Sequence, residues 1–332
     1  MKKFFFLFSL ITLLGCCSSS VANTQPVLIA DPRVLSIPIC DNQEPLVDLR
    51  KEGGIAIGPS PEIPNNTDYT FVRKSVAEKL LQAQKKLPPG LQFQLYEGYR
   101  SLALQKKLFD TFFAKIKKEH PSWSYKQQFL ETTHLVSPVI NLDASHNIPP
   151  HSTGAAIDVY LVDTAGKSVP MGIHPKDWMQ DLDGSLSLPH SQKISAEARH
   201  YRAIMSRALK SVGFVNLDTE YWHWSYGDRY WAFKNLDSKS AETANKSVAP
   251  NVIPAEAGIV SSSTSCTLRD GAPSTTCSSS ALSTLNAGSK KKKPCAIYGT
   301  TSKKSAAANN AKPGKRCDDF KPNKSYHNDS SL

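Results

Sequence analysis

Five polar residues in this 332-residue chain have types and settings that could carry chemistry. His151 sits in PPHSTGAAID, where Pro149 and Pro150 stiffen the approach and Gly154 permits a tight backbone path. Asp158 falls between Ile157 and Val159 in the apolar run AAIDVYLVD, and a carboxylate on a buried strand needs a partner, of which a metal ion is one. His223 lies in the aromatic box TEYWHWSY, where a lone histidine is ordinarily a packed core residue, but Glu220 places a second titratable group in the same apolar surface. On a regular strand residues three apart face opposite sides, so the spacing predicts a bulge or turn at Glu220. Together His151, Asp158 and His223 supply two imidazoles and one carboxylate, a set that leaves the fourth position of zinc open to water. Glu220 would be the non-ligating base beside that water, the logic of helix-borne HExxH hydrolases. Arg100, ending YEGYR, offers a planar fork to a developing oxyanion or a substrate carboxylate. Its plainer reading is a surface arginine that caps the following helix.

Positioning these groups requires a mixed set of elements. VAEKLLQAQKK places Val76, Leu80 and Leu81 on one helical face, and Leu87-Pro88-Pro89-Gly90 stops the helix. LQFQLYEGYR alternates Leu91, Phe93 and Leu95 against Gln92, Gln94 and Tyr96, a strand that Gly98 breaks. Leu104, Leu108, Phe112 and Ile116 recur every four residues, predicting an amphipathic helix over 101–118 with Ser101 as cap. AAIDVYLVD reads as a strand closed by Thr164-Ala165-Gly166, residues 195–212 as a helix ended by Gly213, and EYWHWSYGDRYWAF as an aromatic strand with a turn near Gly227-Asp228. The irregular order predicts an α+β body, a central mostly antiparallel sheet flanked by helices, rather than a βαβ repeat.

The hydrophobic fraction of 40% excludes a wholly disordered or fibrous chain, and the apolar run 4–15 is too short for a permanent span, which excludes a polytopic membrane protein. Met1-Lys2-Lys3 and the apolar run ending at Cys16 read as an export signal, so the chain is expected outside the cytoplasm. Leu13-Leu14-Gly15-Cys16 resembles a lipoprotein cleavage box, making 1–16 a lipoprotein-type signal and Cys16 a candidate membrane anchor in the cell envelope. Residues 17–41 read as a tether and 42–238 as the folded domain. Residues 239–332 carry 14 Lys and Arg against 6 Asp and Glu, so most of the net charge of +11 belongs to this low-complexity stretch. Its composition predicts disorder, with the lysine run 290–293 either solvated or touching anionic envelope polymer. A nearly neutral body gives no reason to expect nucleic acid as a partner. Cys40 stands alone in the body, which excludes a disulfide-built fold.

Four motifs in order, YEGYRS, HSTGAAIDVYLVD, VPMG and GFVNLDTEYWHWSYGDRYWA, closely resemble the zinc D-alanyl-D-alanine dipeptidase family, relatives of the vancomycin-resistance dipeptidases in the DD-peptidase/Hedgehog-type group. The resemblance covers roughly residues 42–236. It implies one zinc per chain on His151, Asp158 and His223, Glu220 as catalytic base, Arg100 at the transition-state oxyanion, and hydrolysis of a small D,D-dipeptide such as D-Ala-D-Ala to free D-alanine. Two departures stand out. Pro149 replaces the serine of the group's S-x-H pattern, and Asp177 is the nearest acid after VPMG that could hold the substrate's ammonium. A D,D-carboxypeptidase or endopeptidase trimming peptidoglycan peptides and a non-catalytic wall-binding module are the competing expectations.

Overall fold

A computed structural model describes residues 25–247 and 295–299. In chain order the elements are α1 (Pro32–Leu35), β1 (Leu46–Asp48), α2 (Leu49–Glu52), β2 (Ala56–Ile57), β3 (Phe71–Arg73), α3 (Lys74–Gln84), β4 (Leu91–Glu97), α4 (Leu102–Glu119), α5 (Tyr125–Thr132), α6 (Pro150–Thr153), β5 (Ala156–Asp163), α7 (Ala196–Lys210), β6 (Val215–Leu217), β7 (Glu220–Ser225) and α8 (Arg229–Ser247). Five strands form one sheet in the order β2-β4-β5-β7-β6, and β1 pairs with β3 in a small second sheet. Among the described pairings of this five-stranded sheet only β2–β4 is parallel, so the expected α+β architecture with a mostly antiparallel central sheet is what the chain adopts.

The long elements arise where periodicity is strongest. Ser101 and Ser195 cap α4 and α7 through the amides of Leu104 and Ala198, as their positions before apolar periodic runs require. Val76, Ala77, Leu80 and Ala83 of α3 join Met205, Ala208 and Leu209 of α7 in the main core against Phe93, Leu95, Ile157, Val159 and Trp224 of the sheet. Strand β5 is buried on both faces from Ala156 to Val162, which explains its unbroken apolar run. A second cluster, built on Phe109, Phe112 and Phe129 of α4 and α5, flanks the sheet.

Three expectations change. RYWAF does not continue the aromatic strand. Asp228 accepts the Trp231 amide at 2.8 Å and starts α8 there, because the Gly227 turn ends the sheet pairing. The tether expected up to 41 is packed from residue 25 onward: Val27, Ile29 and Val34 are buried against Leu217 and Tyr230. The stretch expected to be disordered from 239 is helical to Ser247, and residues 295–299 lie on the body. Ala296 bridges Ile39 in parallel register, its amide donating to Pro38 O and its carbonyl accepting from Cys40 N. Tyr298 is buried, its hydroxyl donating to Glu44 Oε2 at 2.7 Å and its ring under the Arg73 guanidinium at 5.0 Å. The physical reason is a short apolar island, Ala296-Ile297-Tyr298, inside an otherwise polar composition. Residues 1–24 and 300–332, including Cys16 and the signal, and the lysine run 290–293 lie outside the described residues.

Removing the Tyr298 ring empties a buried site that spans both ends of the described chain. Tyr298→Ala is expected to destabilise by about 2–4 kcal/mol, limited by the free energy with which the segment docks. Calorimetric melting of the full chain checks this, and an unchanged midpoint counts against docking.

Candidate metal centre and active site

The three candidate ligands come from one turn and two adjacent strands. Asp158 and His223 are direct cross-strand partners in the β5–β7 register, and Glu97 of β4 is the partner of Asp158 on its other side. His151 enters from α6, a single turn that Gly154 ends with φ +72°; a Cβ there would come within 2.4 Å of Leu46 Cδ2. Pro149 sits at the N-cap of that turn without a side-chain hydrogen bond.

His223 Nδ1 lies 3.1 Å from Asp158 Oδ1 and 3.1 Å from His151 Nε2, and His151 Nε2 lies 3.4 Å from Asp158 Oδ2. All three side chains are buried, with one ligand atom of each within 4.8 Å of the others. His151 Nδ1 donates to Gly98 O at 2.8 Å, which fixes the tautomer and leaves Nε2 with its lone pair facing inward. A Cβ at Gly98 would come within 2.6 Å of Phe71 O, so glycine is needed to bring that carbonyl under the imidazole. The outer nitrogen of His223 faces Ser225 Oγ at 3.5 Å. Two lone pairs and a carboxylate thus converge in a dry place, an arrangement that repels itself unless a cation occupies the centre. Their spacing matches the ~3.3 Å expected between ligands of a tetrahedral zinc with bonds of ~2.0–2.1 Å. The donor set fits the metal.

Glu220 opens β7, buried, with Oε2 3.9 Å from His223 Nδ1. The expected irregularity is present: Asn216 pairs with Trp224 while the next residue, Leu217, pairs with Glu220, so residues 221–223 bulge out of the ladder. Asn216 Nδ2 holds this bulge by donating to Glu220 O at 2.7 Å and His223 O at 2.8 Å. Sequence reasoning missed Asn216; the only available signal was one amide in the short strand before the aromatic box. Asn216→Ala leaves both carbonyls without that donor and is expected to cost about 1–3 kcal/mol in urea unfolding.

Arg100 is not a helix cap, a role taken by Ser101. Its Nε donates to Glu97 Oε1 at 2.9 Å, Nη2 to Glu97 Oε2, and Nη1 to Gln105 Oε1 at 3.0 Å, while Gln105 Nε2 donates to Ser137 O. Glu97 and Gln105, both buried, were not read from the sequence. Arg100, His151, Asp158, Glu220 and His223 all line one narrow cavity walled by Tyr96, Trp178, Trp222 and Ile29. Asp177 does not: its carboxylate accepts from Gln180 Nε2 at 3.3 Å on the turn that presents Trp178.

The electrostatics separate the carboxylates. Burial, reinforced by the Asp158 charge, raises Glu220 well above the ordinary carboxylate range, with Arg100 opposing. Asp158 is also pushed up by burial, but the two imidazoles outweigh that and hold it well below the usual range. Burial lowers His223 despite its contact with Asp158, keeping the imidazole neutral and able to offer a lone pair. Burial works against the Arg100 charge, but Glu97 more than compensates and keeps it cationic.

An enzyme class follows from this arrangement and from the comparisons with known proteins: the chain is a metallopeptidase. The peptidase M15 family model, described as D-Ala-D-Ala dipeptidase, matches residues 63–248, more than half of the chain, and the chain belongs to that family. A D-alanyl-D-alanine dipeptidase of Synechocystis sp. is 29% identical over 224 residues, covering 60% of this chain and 89% of that protein. Among solved structures, VanYB in complex with D-alanine-D-alanine is 13% identical with a TM-score of 0.33, covering 62% of this chain and 96% of that one. The D,D-dipeptidase VanXYg in complex with a D-Ala-D-Ala phosphinate analogue is 17% identical with a TM-score of 0.29, covering 64% and 70%.

Proposed function

We propose that this chain hydrolyses D-Ala-D-Ala to free D-alanine as a zinc dipeptidase. The observation that carries the reading is the buried His151, Asp158 and His223 cluster with the unligated Glu220 carboxylate 3.9 Å from one of its nitrogens. Zinc held by those three residues would supply Lewis acidity to a water and to the scissile carbonyl. Glu220, its proton affinity raised by burial, takes the proton of the attacking water on its carboxylate and returns it to the leaving amine nitrogen. Arg100 directs its guanidinium at the oxygen that gains charge, its orientation set by the two-pronged hold of Glu97 and the brace of Gln105. The chain is further proposed to be exported and lipid-anchored at Cys16, with 42–238 as the catalytic domain; the support is the charged start, the apolar run and the cysteine that ends it.

Release of D-alanine from D-Ala-D-Ala by the zinc-loaded full chain, abolished by a chelator and restored by zinc, is the expected result. No release from the loaded chain overturns the reading. Faster turnover of N-acyl-D-Ala-D-Ala than of the free dipeptide favours a carboxypeptidase instead.

A further inference from the structure

We propose that residues 295–299 clamp the metal centre: acting through Arg73 and through the Gly227 turn, they set the spacing of His151 and His223, so that zinc affinity depends on them. This rests on the zinc reading above. The segment lies outside residues 63–248, which the family model matches, and none of its residues is a ligand.

Arg73, the last residue of β3, is 1% exposed. Its amide donates to Gly154 O at 2.9 Å and its Nε to Thr153 O at 2.7 Å, which closes the end of α6, the turn that carries His151. A helix of four residues has little stability of its own, so the groups that take its terminal carbonyls set its position. The remainder of the guanidinium reaches toward both ends of the chain. Nη2 donates to Gly299 O at 3.1 Å, Nη1 donates to Glu44 O, and Cζ lies 5.0 Å from the centre of the Tyr298 ring. Tyr298 in turn donates its hydroxyl to Glu44 Oε2 at 2.7 Å. With Asp41 Oδ2 only at 3.4 Å, carbonyls and a ring fix the plane of this buried cation.

The same segment grips the support of the other imidazole. Ile297 N and Tyr298 N both donate to Gly227 O, at 2.8 and 3.2 Å, two residues after the end of β7. Gly227 has φ +91°, and a Cβ there would collide with the Tyr298 ring. Between these two holds, His151 Nε2 on α6 and His223 Nδ1 on β7 stand 3.1 Å apart. Metal–ligand distances are met only within about ±0.2 Å, and donors that repel one another before the cation arrives must be held by their surroundings. A short segment bound to the supports of both imidazoles supplies that hold.

The test is the zinc affinity of the full chain, read by competition with a chelator of known affinity at a temperature well below every melting midpoint. Tyr298→Ala takes the ring away from both Arg73 and Gly227. Arg73→Lys keeps a charge but lacks the planar fork that spans Thr153 O and Gly299 O together. Each is expected to weaken zinc binding about 10-fold, the lower end of the ~10–100-fold range for groups outside the ligand shell. Tyr298→Phe keeps the ring and is expected to bind zinc as the parent chain does. Leu209→Ala, a cavity in the main core on α7, is the control: it lowers the melting midpoint without touching the clamp and should leave zinc affinity unchanged. Zinc affinity at the parent's level in Tyr298→Ala overturns the proposal, and that variant decides alone if Arg73→Lys does not fold. An equal loss in Leu209→Ala also overturns it, because the effect is then one of general stability. If the unsubstituted chain binds no zinc, the zinc reading itself has failed, whereas a tight-binding parent with an indifferent Tyr298→Ala variant sinks only the clamp.

Discussion

Glu220→Gln is expected to lower kcat on D-Ala-D-Ala by about 10²–10⁴-fold, the contribution of a positioned general base, while the chain keeps its full metal complement. The amide matches the carboxylate in shape and cannot take a proton from the attacking water. Glu220 is not among the three converging ligand atoms, so its replacement leaves the ligand set intact. Paired measurements decide the matter: steady-state release of D-alanine and the metal-to-protein ratio after dialysis. Turnover near that of the parent chain would remove Glu220 from the mechanism. Joint loss of metal and activity would make it a ligand instead.

Asp158→Asn should have the opposite signature. The side chain keeps its size in the fully buried middle strand, but the anion that draws two neutral imidazoles and a cation together is gone. Metal affinity is expected to fall by more than the ~10–100-fold typical of changes to groups outside the ligand shell, with activity falling in step. Equilibrium competition against a chelator of known affinity measures it. Undiminished metal binding would place the cation elsewhere.

The contrast between these residues and the ones overlooked shows what a linear text carries. Asp158, Glu220 and His223 could be singled out because each sits in an apolar or aromatic run, and His151 because two prolines and a glycine frame it, features visible within a few residues. The elements that carry them were legible for the same reason: α4 and α7 have a four-residue rhythm and a serine cap, and β5 is an unbroken apolar run. Even the bulge at Glu220 could be anticipated, since two residues three apart on a strand cannot otherwise share a cavity. What held the bulge could not. Asn216 acts through carbonyls four and seven positions away, and Glu97 acquires its place only when β4 lies beside β5. The pairing of Ala296 with Ile39 joins residues separated by most of the chain, beyond the reach of any local pattern. RYWAF misled because aromatic content favours a strand, whereas the Asp228 cap decides for a helix.

Ile29, one wall of the active-site cavity, belongs to the stretch whose base, residues 38–42, is clasped by Ala296 and Ile297. The family model matches residues 63–248, yet the packed body extends past both of those borders. Cutting the chain to that matched stretch would strip one side from the cleft and leave Leu217 and Tyr230 bare to water. The stretch that the family model matches and the packed unit of this enzyme therefore have different edges.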